Sequence, residues 1–240
     1  MYDITYTKIL SVNEEDCDMF GRLRPASMLK LMQEAGREHL ESWETLNSRI
    51  RDMGLLWVIS RTVAEIGRLP GSRERMTLVT WPGKNRHAFL PRSFALRDEN
   101  GETVVRAKSI YILMDGESRH AVTPKSLGIE FPQRLDGDEL PDLPPRIPFP
   151  AELPGTLLRA PHYSELDVNG HLNNTHYLSW GEDLLSADYH RHHALRALRV
   201  EYRREVRPED EIELRYALCD DTLFVQGGEY FSMKLDYSAE

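Results

Sequence analysis

The densest group of side chains that could do chemistry lies in residues 167–174, DVNGHLNN. Alternate residues of an extended segment point the same way, so Asp167, Asn169 and His171 can share one side of this stretch. A histidine beside an amide and a carboxylate suits acid–base or nucleophilic work near neutral pH. The same stretch is also compatible with a polar turn in which an asparagine caps a helix and the histidine faces solvent.

A helical pattern follows this stretch, with residues at helical spacing at Tyr177, Trp180, Leu184 and Ala187. Asn173 is a favourable N-cap for that helix. The first backbone N–H groups of a helix have no internal partner and lie at the positive end of its dipole, which suits a developing oxyanion. The sequence therefore predicts an oxyanion site at the start of this helix.

An internal repeat relates this stretch to an earlier one. Residues 18–29, DMFGRLRPASML, align without gaps onto residues 167–178, DVNGHLNNTHYL, with identical residues at four of the twelve positions. The earlier copy also leads into a helical pattern, for which Pro25 suits the first position and Arg24 the cap. One face of that helix is predicted to hold Leu29, Met32, Gly36, Leu40 and Trp43. We interpret the two copies as a duplication.

The two copies differ at the positions that could do chemistry. Phe20 and Arg22 stand where the second copy has Asn169 and His171. We therefore predict that the first copy is scaffold and that the second half carries all the chemistry.

The rest of the chain is rich in β-forming residues. Each half is predicted to hold one long helix and four or five mostly antiparallel strands, an α+β arrangement that occurs twice. The predicted strands span 2–12, 55–66, 74–82, 87–98 and 103–114, then 156–162, 196–206, 210–219 and 222–236. Residues 131–154 contain seven of the 14 prolines, which predicts an extended linker. The predicted units are residues 1–130, the linker 131–154 and residues 155–240.

Composition narrows the function classes. The chain has 240 residues, 40% hydrophobic and 29% charged, an ordinary globular balance. Its formal net charge of −9 argues against general nucleic-acid binding. Two cysteines, Cys17 and Cys219, are too few for a disulfide scaffold or a four-thiolate zinc site. No apolar run approaches the roughly 20 residues that span a bilayer. The first residues, MYDITYTKIL, do not have the pattern of an export signal. We therefore expect a cytoplasmic protein with no membrane partner.

Two motifs give the sequence a resemblance to a known family. Residues 167–180, DVNGHLNNTHYLSW, are followed by VEYRRE at 200–205, and residues 55–81 and 106–115 agree in order and character. In these features the chain resembles the acyl-acyl-carrier-protein (acyl-ACP) thioesterases of plants and bacteria. Their signature is an Asp-x-Asn-x-His-x-Asn-Asn loop with a downstream Glu-Tyr-Arg-Arg-Glu strand. The resemblance covers nearly the whole chain.

The resemblance implies two tandem hotdog domains, each an antiparallel sheet wrapped around one long helix. It implies hydrolysis of the thioester between a fatty acyl chain and the phosphopantetheine arm of acyl carrier protein. The acyl chain would lie in a tunnel of the first domain, and the second domain would do the chemistry. Carried over by motif position, the catalytic residues are Asp167, Asn169, His171 and Glu205, with no cofactor and no metal. Glu205 would activate water or attack the carbonyl itself, His171 and Asn169 would orient the reactants, and Asp167 would hold Asn169 or the loop.

One position departs from the plant relatives, which often have cysteine directly after the strand glutamate, where this chain has Val206. Neither cysteine of the chain matches a motif position, so the resemblance favours Glu205 over a cysteine nucleophile. Alternation along the predicted strand 196–206 places Glu201 and Glu205 on one face. Glu205 would end the row and reach a cleft, whereas Glu201 lies deeper and is suited to pairing with an arginine.

Acyl carrier proteins are acidic as a group, so an acidic enzyme needs a local basic surface to dock one. Two clusters are candidates, although both are also compatible with solvated strand faces. The first consists of Arg191, Arg196, Arg199, Arg203, Arg204 and Arg207. The second consists of Arg73, Arg75, Lys84, Arg86 and Arg92. A nearby histidine group is not predicted to bind zinc, because it lacks a second ligand cluster: His190, His192 and His193.

Other functions stay open at this point. The closest alternative is the same hydrolysis with acyl-CoA as substrate. A hydratase acting on enoyl thioesters fits the Glu205 motif less well, and a non-catalytic acyl-binding protein would not need both His171 and Glu205. The acyl chain length and the question of a homodimer are not decided by the sequence.

Overall fold

The computed structural model describes residues 2–135, 140 and 146–239. The first half forms β1 (Tyr6–Ser11), α1 (Pro25–Ser42), α2 (Glu44–Asp52), β2 (Leu55–Ile66), β3 (Arg75–Pro82), β4 (Leu90–Arg97), β5 (Thr103–Asp115) and β6 (Ala121–Val122). The second half forms β7 (Gly155–Arg159), α3 (His176–Glu182), α4 (Ala187–His192), β8 (His193–Tyr202), β9 (Ile212–Cys219), β10 (Thr222–Gly227) and β11 (Phe231–Ala239). The predicted strands are present, most with shifted ends, and the predicted run 222–236 forms the two strands β10 and β11, which are separated at Gly228.

Within the described residues, these strands form one antiparallel sheet in the order β1-β3-β4-β5-β2-β8-β11-β10-β9-β7, with β6 beside β5. The two halves meet where β2 pairs with β8, and Val63 lies opposite Arg199 at the middle of that ladder. The main hydrophobic core draws residues from both halves, among them Leu29 and Trp180. The architecture is α+β, as predicted from the sequence.

α1 follows its predicted pattern. It begins at Pro25 with Arg24 as N-cap, and its buried side includes Met28, Leu29, Met32, Ala35 and Gly36. A Cβ on Gly36 would come 3.1 Å from Cδ of Arg92 on β4. Glycine inside a helix costs about 1 kcal/mol relative to alanine. Here its missing side chain lets α1 lie close to β4.

The second half departs from the predicted long helix. α3 has seven residues and ends at Glu182. The side chain of Ser186 then accepts a hydrogen bond from Tyr189 N and caps α4, a separate helix of six residues. The second half therefore covers its part of the sheet with two short helices, of which α3 supplies the fully buried Trp180.

The two copies of the repeat have the same local structure. In each, Oδ1 of the aspartate accepts hydrogen bonds from the backbone N–H groups two and four residues later, at 2.8–3.3 Å: Asp18 from Phe20 and Arg22, and Asp167 from Asn169 and His171. The glycine between them has a positive φ in both copies, 79° at Gly21 and 75° at Gly170. The aspartate and the glycine thus fix the loop, and the residues between them are free to differ.

Each loop is also tied to the segment that follows a central strand. Leu23 N–H donates to the carbonyl of Pro70 after β2, and Leu172 N–H donates to the carbonyl of Val206 after β8, both at 2.8 Å. In the second half this bond holds the loop next to Glu205, one residue before Val206.

The described parts of the linker pack on the protein. Phe131, Ile147 and Leu153 are buried, and the ring of Phe149 lies 5.9 Å from that of Phe224 on β10. Residues 136–139 and 141–145, which include Pro141, Pro144 and Pro145, lie outside the described residues. The boundaries 1–130, 131–154 and 155–240 stay predictions.

In the part of the chain that the structure covers, no helix has the length and apolar character needed to cross a membrane.

Glu165, just before the second-half loop, is a buried carboxylate with three donors. It accepts hydrogen bonds from His162 N at 2.7 Å, Trp180 Nε1 at 3.0 Å and Arg159 Nη2 at 3.2 Å. Burial acts to raise the pKa of Glu165, but these donors outweigh it and hold the pKa below its ordinary value. The ionised form is therefore part of the folded structure.

We predict that Glu165→Gln lowers the free energy of unfolding at pH 7 by about 1.5–3 kcal/mol, because hydrogen bonds to a charged group are lost. A depressed carboxyl pKa stabilises the fold above the unfolded pKa, and that stability is lost as the pH falls through the folded pKa. The difference between wild type and variant should therefore shrink on acidification below about pH 4. Denaturant unfolding at several pH values measures it. Asp16, the half-exposed counterpart in the first copy, supplies the control Asp16→Asn, and an equal loss there would contradict the prediction.

Candidate active site

The four side chains that the sequence assigned to catalysis line one cleft of about 300 Å³ between the two halves: Asp167, Asn169, His171 and Glu205. His171 Nε2 lies 3.1 Å from Glu205 Oε2, within hydrogen-bonding distance. Trp57 of β2 contributes to the first-half wall. The geometry therefore joins two motifs that are 34 residues apart in the sequence.

Glu205 reaches the cleft from a loop, which corrects the prediction that strand alternation places it there. β8 ends at Tyr202, because the N–H groups of Arg203 and Arg204 both donate to the carbonyl of Tyr230, at 2.8 and 3.1 Å. Because two successive N–H groups donate to one carbonyl, the regular β pairing ends at this point. The chain then turns toward the repeat loop. The side chain of Glu205 keeps about a third of its surface exposed, 33%.

Glu201 has a different environment although it is the same residue type. It is buried on β8, forms an ion pair with Arg199, and lies 3.7 Å from Arg61 Nη2 and from Arg203 Nη2. Its predicted pairing with arginine is confirmed. Three arginines surround its carboxylate, so Glu201 belongs to the junction between β2 and β8.

Asp167 organises the loop. Its Oδ1 accepts the backbone N–H groups of Asn169 and His171, and its Oδ2 lies 3.4 Å from Asn169 Nδ2. Asp18 makes the equivalent backbone bonds in the first copy, where histidine is absent. The geometry supports the predicted role of Asp167 in holding Asn169 and the loop.

Sequence reasoning missed Arg119. This residue lies in the turn after β5, has a φ of 59° and forms an ion pair with Glu205 through Nη2 and Oε1. One carboxylate oxygen of Glu205 therefore contacts His171 of its own half, and the other contacts the first half. No local pattern marks Arg119, because the contact spans 86 residues.

The helix start at which the sequence predicts an oxyanion site lies later in the chain than predicted. Oδ1 of Asn173 accepts hydrogen bonds from Thr175 N and Oγ1, at 3.0 and 2.9 Å, and the carbonyl of Asn173 accepts from His176 N at 2.9 Å. Asn173 thus makes a turn that delays α3 until His176. The N–H groups of Thr175 and His176 are thereby engaged, and the oxyanion site at the helix start stays a prediction.

A second cavity of about 430 Å³ lies in the first half between α1 and the sheet. Its walls include Leu40, Trp43, Leu90, Tyr111 and Phe131. Two residues of the second half, Asn169 and Asn174, line both this cavity and the cleft, as do Trp57 and Ile59 of β2. A mainly hydrophobic cavity therefore shares part of its wall with the cleft that holds His171 and Glu205.

Neither cysteine lines either cavity in the described structure. Cys17 is buried, and burial raises the pKa of its thiol, while Cys219 is exposed at the end of β9. Val206, in the position where plant relatives often carry cysteine, is fully buried. Among the described residues, no group of three His, Cys, Asp or Glu side chains is arranged to hold a metal ion.

The arginines of the two predicted docking clusters do not all lie on one surface of the structure. Arg92 and Arg199 are buried and cannot serve as surface charges. Arg191 lies over the ring of Phe20, and Arg196 donates to the Gly67 carbonyl and to Ser238 Oγ, so both lie near the first-copy loop. The arginines that line the cleft are Arg119, Arg203 and Arg204.

Family models match both halves of the chain. The N-terminal domain of acyl-ACP thioesterases matches residues 3–125, and the C-terminal domain of acyl-ACP thioesterases matches residues 157–239. The chain belongs to the acyl-ACP thioesterase family. The recognition made from the loop and strand motifs is thereby confirmed.

Curated relatives of this acyl-ACP thioesterase family member are plant proteins. The chain is 29% identical over 196 residues to the chloroplastic dodecanoyl-[acyl-carrier-protein] hydrolase of Umbellularia californica, covering 75% of this chain and 50% of that protein. It is 25% identical over 207 residues to oleoyl-acyl carrier protein thioesterase 1 of Arabidopsis thaliana, covering 78% of this chain and 56% of that protein. The chain thus spans about half the length of the curated relatives it matches.

Solved structures share the fold. An acyl-ACP thioesterase from Bacteroides thetaiotaomicron superposes with a TM-score of 0.81 at 20% identity, covering 98% of both chains. The 12:0-ACP thioesterase from Umbellularia californica also gives 0.81, at 19% identity, covering 100% of this chain and 99% of the other. The tandem hotdog fold implied by the sequence is confirmed.

We predict that His171→Ala lowers kcat by at least ~10²-fold, as removal of an acid–base group typically does. The matched variant is Arg22→Ala at the equivalent position of the first copy, which should leave kcat nearly intact. Arg22 bonds to Asp18 and to the carbonyl of His190, so its loss should lower thermal stability instead. Turnover and melting temperature are measured for both variants. Comparable losses of turnover would refute the division of labour between the copies.

We predict that Glu205→Gln folds normally and loses nearly all turnover, because an amide can neither accept the proton nor attack the carbonyl. Glu201→Gln should instead lower the melting temperature, because it breaks a buried ion pair, while the folded fraction keeps most of its turnover. The two effects are separated by measuring turnover per folded molecule. An active Glu205→Gln enzyme would mean that His171 activates water alone.

Proposed function

We propose that this chain hydrolyses the thioester of fatty acyl-ACP and releases a free fatty acid and holo-ACP. One observation carries the proposal: the hydrophobic first-half cavity shares Asn169 and Asn174 as lining residues with the cleft where His171 contacts Glu205. An acyl chain in the cavity would bring its carbonyl carbon to the carboxylate. Membership of the acyl-ACP thioesterase family supports this substrate class.

In the proposed reaction Glu205 acts as general base toward water or attacks the carbonyl carbon itself, and water supplies the second oxygen of the acid. The bond between carbonyl carbon and sulfur breaks, and the thiol of the phosphopantetheine arm leaves with a proton. His171 at 3.1 Å is placed to orient Glu205 and to move that proton. Arg119 holds the other carboxylate oxygen.

The test measures free acid released from purified acyl-ACPs of several chain lengths, in parallel with acyl-CoAs of the same lengths. We expect release from acyl-ACP with a higher kcat/KM than from acyl-CoA. Faster release from acyl-CoA would favour the alternative thioesterase. No release from either, with binding retained, would favour an acyl-binding protein, and water addition to enoyl thioesters would favour a hydratase. Cytoplasmic location stays a prediction from the sequence.

We further propose that acyl carrier protein docks on the arginines at the cleft. Arg119, Arg203 and Arg204 have side chains that are 44%, 42% and 57% exposed. They lie around the entrance through which a phosphopantetheine arm must reach Glu205. A local positive surface attracts an acidic partner even when the net charge of the enzyme is negative.

We predict that Arg204→Glu raises KM for acyl-ACP and weakens its dependence on salt, because a steering charge is reversed. The matched control is Arg191→Glu, an equal reversal at an exposed arginine near the first-copy loop, which should leave KM unchanged. KM is measured at several ionic strengths with acyl-ACP and with an uncharged short thioester. Equal increases for both variants would exclude a local dock at the cleft.

A further inference from the structure

The place where the two cavities meet defines where the thioester must lie. This inference rests on the proposed function. The acyl chain would fill the hydrophobic cavity, and the carbonyl carbon must come within reach of Glu205 in the cleft. The residues that line both spaces are Trp57, Ile59, Asn169 and Asn174. On the proposed function the carbonyl group would therefore lie between these four residues.

At this junction the reaction needs hydrogen-bond donors. When an oxygen nucleophile adds to the carbonyl carbon, the π electrons move onto the carbonyl oxygen, and stabilising that charge is usually a large part of catalysis. Three backbone donors near the junction are engaged, since Leu172 N–H donates to Val206 and the N–H groups of Thr175 and His176 donate to Asn173. The side chains at the junction are the further source of donors.

Of the four junction residues, only the two asparagines offer usable donors. Ile59 has no polar side-chain atom, and Trp57 Nε1 is enclosed by the protein, away from the cavity surface. Asn169 directs Nδ2 toward Asp167 Oδ2 at 3.4 Å, which leaves one of its two amide hydrogens free. Among the described residues, the side-chain amide of Asn174 has no hydrogen-bond partner.

The backbone of Asn174 is fixed although its amide is not engaged. Tyr202 Oη donates to the carbonyl of Asn174 at 3.0 Å. Burial raises the pKa of Tyr202 far above neutral, so its hydroxyl stays a donor. Asn174 is thereby anchored to the end of β8, next to the segment that carries Glu205.

The repeat supplies an independent observation. Aligned by the loop, Asn174 corresponds to Pro25 of the first copy, as Asn169 corresponds to Phe20 and His171 to Arg22. A proline or a phenylalanine side chain cannot donate a hydrogen bond. The copy that contains the histidine is thus also the copy that contains both amides at the cavity junction.

We propose that Asn174 is a further catalytic residue, whose side-chain N–H donates, together with Asn169, to the carbonyl oxygen of the thioester. The amides would hold the oxyanion when water or Glu205 adds to the carbonyl carbon. On the water route Glu205 accepts a proton from water and passes it to His171; when the oxyanion collapses, the C–S bond breaks and the sulfur takes that proton. On the attack route collapse leaves a thiolate and an anhydride between the acyl group and Glu205; water hydrolyses the anhydride, and a proton of that water reaches the sulfur through His171. Asn174 donates hydrogen bonds throughout and exchanges no proton.

The test compares Asn174→Ala and Asn174→Asp with wild type on acyl-ACP. Asn174→Ala should lower kcat by ~10²–10³-fold, the cost of losing one oxyanion donor, with KM changed by less than about threefold. Asn174→Asp has the same shape but presents acceptors and a charge, so its kcat should be no higher than that of Asn174→Ala. The control is Asn100→Ala, because Asn100 is exposed in the turn before β5 and lines neither cavity.

Ligand binding separates a catalytic role from a structural one. A trifluoromethyl ketone analogue, which adds a nucleophile and becomes tetrahedral, should lose affinity for Asn174→Ala in proportion to the loss of kcat. A non-hydrolysable thioether analogue, which lacks the carbonyl oxygen, should bind wild type and variant equally. Circular dichroism and the melting temperature check that the variants are folded.

The outcomes distinguish this inference from the proposed function. If wild type releases no acid from any thioester, the proposed function fails, and this inference fails with it. If wild type is active and folded Asn174→Ala keeps kcat within about threefold, Asn174 is not an oxyanion donor while the proposed function stands. A raised KM with unchanged kcat, or equal weakening of both analogues, would likewise overturn the role of Asn174.

Discussion

The antiparallel pairing of β2 with β8 joins the two halves of the chain and thereby forms the cleft. Residues 61–65 of the first half pair with residues 197–201 of the second, and Glu201 lies among Arg61, Arg199 and Arg203 beside this ladder. The pairing makes one sheet of two repeats. It brings Trp57 and Arg119 of the first half to the loop of the second, so the cleft exists only because the halves share a sheet.

After a duplication, the same loop structure can carry different side chains in the two copies. Asp18 and Asp167 hold their loops with equivalent backbone hydrogen bonds, so the side chains between them can change without loss of the turn. In the first copy Arg22 uses that freedom to bond to the carbonyl of His190 and connect the halves. In the second copy His171 uses it to contact Glu205.

Environment, rather than residue type, separates the two glutamates near the end of β8. Glu201 is buried and surrounded by arginines, and its ion pair with Arg199 stabilises the ionised carboxylate. A substrate cannot reach this carboxylate. Glu205 leaves the ladder, stays partly exposed and divides its oxygens between His171 and Arg119. A carboxylate held by two groups at a cleft is oriented yet reachable, which is what a base or nucleophile requires.

Features that depend on neighbouring residues could be predicted from the amino-acid sequence. It predicted the loop of Asp167, Asn169 and His171, the start of α1 at Pro25, the strands and the family. Features that depend on contacts between distant segments became visible in the folded chain: Arg119 on Glu205, the burial of Arg92 and Arg199, the short α3, and Asn174 at the cavity junction. Periodicity and capping are local, whereas these contacts arise when two halves pair across one sheet and leave no pattern in either half alone.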